Sequence, residues 1–338
     1  MPAVVLVTGV SRYLGGRLAQ LLQQHPDVER VIGVDVVPPK ADLGRTEFVR
    51  ADIRNPVIAK VIAAAQVDTV VHMNVIATPV GAGGRSSMKE INVIGTMQLL
   101  AACQKAPTIE KLVVKSSTVV YGVSSKDPAM FTEDTEPNRL PRAGFAKDSV
   151  EVEGYVRGFS RRRPDVTVSM IRFANIFGPG MDTPLTRYFS LPVVPTVLGY
   201  DARLQFAHED DALEVLRRCT FDEYHGTFNV AGDGVVMLSQ AIARAGRANL
   251  PLPPPFASLA RDIVRRTGLI DFSPEQVEYL KYGRVVDTRR VRERLSFEPT
   301  FSTQATFDEF VDRHQLARVV PLDLLSSLEE TLVTRGGG

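Results

Sequence analysis

Val4-Val5-Leu6-Val7-Thr8-Gly9-Val10-Ser11-Arg12-Tyr13-Leu14-Gly15-Gly16 opens a stretch that runs on to Val31-Ile32-Gly33-Val34-Asp35, and its reading decides the fold. Val4 to Val7 is a short β-branched apolar run, as a buried strand requires. A glycine-punctuated turn follows, and Leu14, Leu18, Leu21 and Leu22 then recur at helical spacing. Val31 to Val34 reads as a second buried strand that ends in Asp35. A glycine turn alone would do no more than pack a helix on a sheet. Strand, turn, helix, strand and acid in this order make a dinucleotide-binding βαβ unit. The turn aims unpaired amide hydrogens and the positive end of the helix dipole at a pyrophosphate, and an acid about 20 positions on accepts both ribose hydroxyls. Asp35 follows Gly15 by 20 positions. The candidate cofactor residues of this turn are Gly9, Ser11, Arg12, Tyr13, Leu14, Gly15 and Asp35.

Asp35 also discriminates between nucleotides. A carboxylate some 4 Å from a 2′-phosphate is repelled by about 4 kcal/mol per unit charge at an effective dielectric near 20. NAD is therefore favoured over NADP, with Arg12 as a cation in the same turn that either neutralises a phosphate or points to solvent.

Outward from this unit, strands and helices keep alternating, which predicts an α/β fold with a doubly wound parallel sheet covered on both faces. Glu47 to Ala51 is the third strand, Pro56 to Ala65 a helix and Val67 to His72 the fourth strand. A long helix is expected from about Ser87 to Lys105, a fifth strand over Lys111 to Lys115, a sixth over Val166 to Arg172 and a returning strand over Gly226 to Val230. Pro251 to Pro255 reads as a stiff connector. Ser273-Pro274-Glu275 reads as a helix start with its cap and first-turn proline.

At 338 residues and 44% hydrophobic content there is ample chain for a large core and two lobes. The net charge of +1 argues against nucleic-acid binding, and the basic run Arg157 to Arg163 reads as a solvated helix end before Pro164. Cys103 and Cys219 sit in helical apolar patterns and give no disulfide framework. No apolar run approaches 18 residues and the first strand begins by residue 4, so no membrane span or signal peptide is expected and a cytoplasmic location is the default. No histidine or cysteine spacing suggests a metal.

Several motifs together resemble those of the extended short-chain dehydrogenases/reductases, which include the nucleotide-sugar epimerases and dehydratases. The first turn matches TGxxGxxG at Thr8-Gly9 and Gly15, with Arg12 in place of the middle glycine that lets backbone approach the pyrophosphate. Asp52-Ile53 corresponds to the pair that lies along the adenine. Met73-Asn74-Val75 stands where the family has small residues beside the cofactor, which narrows the pocket. Asn92, in Asn92-Val93-Ile94-Gly95-Thr96, matches N-V-x-G-T; the resemblance implies a helix kink or a proton-relay water, whereas the residue by itself equally suits a buried amide holding local backbone. Ser116-Ser117-Thr118-Val119-Val120-Tyr121-Gly122 resembles S-S-x-x-V-Y-G, which places Ser117 on the active-site hydroxyl, Thr118 beside it as a substitute or substrate contact, and Tyr121 in a structural role.

The family's acid-base tyrosine lies four residues before a lysine. Lys147 and Glu151 fall in register, but the tyrosine position is Ala143, Phe145 has no hydroxyl, and Tyr155 lies two helical turns past Lys147. The resemblance thus implies Ser117, Lys147 and Asn92 as catalytic residues, with Lys147 also on the ribose. Downstream, Arg172-Phe173-Ala174-Asn175-Ile176-Phe177-Gly178-Pro179-Gly180 resembles R-x-x-N-x-x-G-P-G, which places Asn175 near a sugar diphosphate; a turn amide at a Gly-Pro corner is the alternative. Arg203 to Asp211 resembles R-D-F-x-H-V-D-D with the arginine displaced to Arg203, and His208 is expected to order this turn. Asp287 to Pro299 resembles the closing D-x-x-x-x-x-x-x-L-G-F-x-P.

The expected organisation is a nucleotide-binding domain over residues 1–172, with 206–235 returning to it. A substrate lobe is expected over 173–205 and 236–310, and an extension over 311–338 with Leu325, Leu328 and Leu332 as an apolar stripe. Two functions follow: an NAD-dependent epimerase/dehydratase-like oxidoreductase acting on a nucleotide sugar or related hydroxylated substrate, or an NAD-binding sensor or scaffold with a degenerate site. The resemblance also implies a homodimer through the helices that carry Asn92 and Lys147.

Overall fold

The computed structural model describes residues 3–73, 75–77, 83–253 and 274–316. Its centre is a seven-stranded sheet built from β1 (Ala3–Thr8), β2 (Val28–Asp35), β3 (Glu47–Arg50), β4 (Thr69–His72), β5 (Lys111–Ser117), β6 (Thr167–Phe173) and β7 (Gly226–Val230). Their order is β7-β6-β5-β4-β1-β2-β3, every neighbouring pair parallel. The order reverses between β1 and β4, and such a switch point opens a crevice at the carboxyl ends of the strands.

Parallel strands buried on both faces need apolar side chains at odd and even positions alike, and β1 supplies them. Leu6 faces a core built with Ile58 of α2 (Val57–Ala65), Leu99 of α4 (Thr96–Lys105) and Phe159 of α5 (Gly144–Arg162). Val5 and Val7 face the other core, with Leu14 and Leu18 of α1 (Tyr13–Leu22) and Val215 of α7 (Glu209–Phe221). All three β1 residues are fully buried, each contributing about 1.5–3 kcal/mol on removal from water.

The expected long helix spans three segments: α3 (Arg85–Lys89), a π-helical stretch Glu90–Gly95, and α4. A third, aromatic core lies beyond the sheet. It gathers Phe177, Phe189, Phe206, Phe307 and Phe310 with Tyr188, Tyr279 and Leu238; Phe206 and Phe307 stack, and the other phenylalanine rings meet tilted or edge to face. Three two-stranded sheets surround it, pairing Asn175–Phe177 with Phe206–His208, Val193–Val197 with Ala248–Leu252, and Arg203–Leu204 with Val236–Met237.

Two expectations are corrected locally. The connector expected over Pro251 to Pro255 begins as strand, because Pro251 and Leu252 pair with Thr196 and Val197; a proline is tolerated on so short an edge. Arg163, at the end of the basic run, is not merely solvated: its guanidinium donates to the carbonyls of Cys103, Ala106 and Ile109 and so caps the end of α4. Asn74, part of the expected loop at residues 81–84, Ser273 and the stripe of Leu325, Leu328 and Leu332 lie outside the described residues. Cys103 and Cys219 are buried free thiols. Among the described residues no helix is long and apolar enough to cross a membrane, and no group of three or more ligating side chains is placed to hold a metal.

Candidate active site

The crevice is built by the ends of β1, β2, β4 and β5. Gly9 leaves β1 with φ at 78°, a left-handed conformation that favours glycine, while its amide donates to Val34 O at 2.8 Å. Gly15 lies against that turn so closely that a Cβ there would sit 2.3 Å from Gly9 O. Arg12 is the N-cap of α1, is extended and makes no side-chain cap, and no acidic residue occupies the first helical turn. The first amides of α1 are thus left for an anion from outside. This close glycine cradle fits a dinucleotide.

Asp35 ends β2 and accepts from the amides of Ser11 at 3.1 Å and Val36 at 2.7 Å. Those two bonds aim its carboxylate across the turn, and two oxygens leave acceptor capacity for ribose hydroxyls. Ser11 also donates its hydroxyl to Val37 O. Arg12 lies exposed at the start of α1, where partial desolvation lowers its pKa and the charge of Asp35 partly restores it. Asp52 is held by Arg54 at 2.6 Å, which keeps its carboxyl below the usual range, and Ile53 packs under Gly95, where a Cβ would meet it at 2.8 Å. Met73 and Val75 are buried in the two opposite cores, so their bulk is taken up beside the crevice floor.

His72, at the end of β4, is the centre of a directed chain of hydrogen bonds. Thr96 donates its hydroxyl to Asn92 O at 2.5 Å, so it accepts from His72 Nε2 at 2.8 Å; His72 Nδ1 then accepts from Thr8 Oγ1 at 2.9 Å. Thr8 Oγ1 in turn accepts from Met73 N at 3.1 Å. The direction assigns the Nε2–H tautomer. Burial, aided by the charge of Lys115, pushes the imidazole pKa down to about 3.

Asn92 is fully buried in the π-helical stretch. Its amide clamps both backbone groups of Ile76, Oδ1 accepting at 2.7 Å and Nδ2 donating at 2.9 Å, and reaches Asp148 at 3.3 Å. Asp148 is fully buried and is held by Arg85 through two guanidinium nitrogens at 2.5 and 2.7 Å. Sequence reasoning missed Arg85 and Asp148. Asn92 thus holds local backbone, one of the two readings its sequence position suggests.

Ser117 closes β5 and caps the 3-10 turn Thr118–Tyr121, accepting weakly from Val119 N at 3.4 Å. Its hydroxyl hydrogen has no acceptor among the described residues. Thr118 is buried behind it. Lys147 lies in the first turn of α5 with its ammonium 3.8 Å from Glu151, and Ala143 precedes that helix as its extended, exposed N-cap. Tyr121 is structural as expected: its hydroxyl bridges Asn229 at 2.8 Å and Arg172 at 2.9 Å. Arg172 is itself held by buried Glu153 at 2.6 Å.

Toward the aromatic core, Asn175 donates to the Tyr279 hydroxyl at 2.9 Å, and burial pushes that phenol up to about 12. The backbone of Arg203 is locked against Gly283 and Arg284, and its side chain stays half-buried with no partner among the described residues. His208 orders its turn as expected, accepting from Asp210 N and bonding Glu309 at 3.0 Å while stacked on Phe301. Tyr13 was read as a cofactor residue; its hydroxyl donates to Glu209 at 2.6 Å, and Glu209 also accepts from Gly180 N at 3.0 Å, which ties the nucleotide turn to the Gly-Pro corner.

One further residue escaped the sequence reading. Lys115 lies on β5 two residues before Ser117, and burial with the charge of Arg12 lowers its ammonium to about 8. The signal was present: a lysine on the inner strand of a doubly covered sheet is seldom buried without a partner.

Comparisons with known proteins bear on the fold and the family. An uncharacterized protein of Mycobacterium tuberculosis is 50% identical over 324 residues, covering 94% of this chain and 86% of that protein. UDP-glucose 4-epimerase of Thermotoga maritima, solved with UDP-glucose, superposes with a TM-score of 0.71 at 17% identity, over 92% of this chain and 98% of that one. UDP-glucuronic acid 4-epimerase of Bacillus cereus, solved with NAD, gives 0.69 at 19% identity, over 93% and 99%. Both share the fold. The profile of the NAD dependent epimerase/dehydratase family matches residues 5–198, and with the cradle at Gly9 and Gly15 this establishes that the chain belongs to that family.

Proposed function

We propose that this protein is an NAD-dependent oxidoreductase of the epimerase/dehydratase type, acting on a nucleotide sugar or a related hydroxylated substrate. The observation that carries the reading is that an uncapped glycine cradle and an aimed Asp35 share one crevice edge with the free hydroxyl of Ser117. NAD supplies reversible acceptance of a hydride when bound. Asp35 holds the adenosine ribose, whose two hydroxyls donate to its carboxylate. Lys147 holds the other ribose, Ser117 hydrogen-bonds the substrate oxygen whose carbon is oxidised, and Asn92 fixes the Ile76 loop beside them. Asn175 and Arg203 face the substrate from the lobe built on the aromatic core.

Ala143 favours a second reading, a nucleotide-binding sensor or scaffold without turnover. A positioned acid-base group contributes 10²- to 10⁴-fold, or about 3 to 5 kcal/mol of barrier, and the N-cap position four residues before Lys147 carries no phenol. The test is a panel of nucleotide sugars with NAD, followed by the near-ultraviolet absorbance of reduced nicotinamide and by product analysis for redox-neutral epimerisation. Turnover selects the enzyme. Tight NAD binding with no product across the panel selects the sensor.

A further inference from the structure

We propose that Lys115 and Arg12 form a two-cation clamp that grips the diphosphate of the bound dinucleotide from opposite walls of the crevice. This assignment rests on the nucleotide-binding part of the reading above. Ser116 turns its hydroxyl to Glu153 on α5, at 2.7 Å, so by strand alternation Lys115 and Ser117 face the opposite side of the sheet, where α1 lies. Arg12 begins α1 on that side. β1 and β5 flank β4, two strand spacings or roughly 10 Å apart, a gap that two long side chains can close on a diphosphate.

Neither cation has a hydrogen-bond or ion-pair partner among the described residues. Among the described residues the charge that acts on Lys115 is Arg12, of like sign, since His72 bonds Thr96 on the other face of the sheet; Asp35 attracts Arg12 and is itself bound to two backbone amides. A half-buried Lys115 under the like charge of exposed Arg12 is unfavourable until an anion arrives between them. The residue at position 12 also carries a Cβ that holds backbone away from the phosphates, and a second cation offsets the lost amide contacts. Asp35 stands at the adenosine-ribose end, so the anion for the pair is the diphosphate and not a 2′-phosphate.

With the ammonium of Lys115 held to about 8 in the free protein, capture of a diphosphate restores its charge and takes up a proton. The test is calorimetric titration of NAD into nucleotide-stripped full-length protein near pH 8.5, in buffers of different ionisation heat. Wild type takes up a fraction of a proton; Lys115→Met loses the uptake and about tenfold or more in affinity, while Lys115→Arg stays within a few-fold. The free Lys115→Met protein melts no lower than wild type, which separates loss of a ligand contact from loss of fold. Unchanged NAD affinity in Lys115→Met overturns the clamp. Wild type that binds no NAD defeats the nucleotide reading instead, and the clamp is then judged with inorganic pyrophosphate: no greater thermal shift in wild type than in Lys115→Met overturns it as well.

Discussion

His72 gives the most sharply quantified expectation. It is 1% exposed, and its two ring nitrogens are committed to Thr8 and Thr96 in a fixed direction. A second proton on Nδ1 would confront the Thr8 hydroxyl, whose oxygen already accepts from Met73 N. The folded protein therefore keeps this imidazole neutral down to about 3, against an ordinary value of 6.5. The unfolded chain binds the proton first, so this contribution is complete above about pH 6.5 and is lost progressively as pH falls toward 3. At 1.36 kcal/mol per unit the whole effect is about 5 kcal/mol, of which about 3 is gone by pH 4.5. His72→Gln preserves an acceptor and a donor but removes the titration. Urea unfolding of both proteins at neutral pH and near pH 4.5 is the assay, since carboxylates common to the two cancel in the difference. Wild type should lose about 3 kcal/mol more than the variant. Equal losses would refute the buried neutral imidazole.

Other outcomes are expected from the same structure. Ala143→Tyr places a phenol at an exposed, extended position four residues before Lys147; any weak epimerase activity should rise, toward the 10²-fold that an acid-base group supplies, and an unchanged rate would mean another chemistry. Gly15→Ala drives a Cβ to 2.3 Å from Gly9 O, so NAD affinity should fall at least about tenfold and stability by about 1–3 kcal/mol in urea melts; wild-type binding would show that the cradle yields. The resemblance implies a homodimer through the helices that carry Asn92 and Lys147, and sedimentation as a monomer at micromolar concentration would dismiss it.

What was legible in the sequence was local. The opening βαβ unit follows from residues within a few turns of one another, and the parallel sheet from the steady alternation of β-branched runs with helical spacing, though not the order of strands across it. The role of Tyr121 and the turn at His208 were likewise readable from short motifs. The rest depends on partners far apart. Arg85 reaches Asp148 across 63 residues and Tyr13 reaches Glu209 across 196, and no spacing rule connects such pairs. The helix kink that the N-V-x-G-T resemblance implies at Asn92 takes the form of a π-helical stretch over Glu90–Gly95, whose extent has no compositional mark. Lys115 was visible but silent until β5 was placed between β4 and β6.

The bond from Tyr13 to Glu209 carries a consequence for biosynthesis. The turn that begins the chain is held by a carboxylate made nearly two-thirds of the way along it, and α7, which carries that carboxylate, packs directly on α1. While the ribosome is still short of that point, the nascent amino-terminal half presents a half-built mouth, with the Tyr13 hydroxyl left to its neighbour Arg17 and a bare face on α1. Maturation of the crevice is thereby deferred until the second half emerges from the exit tunnel.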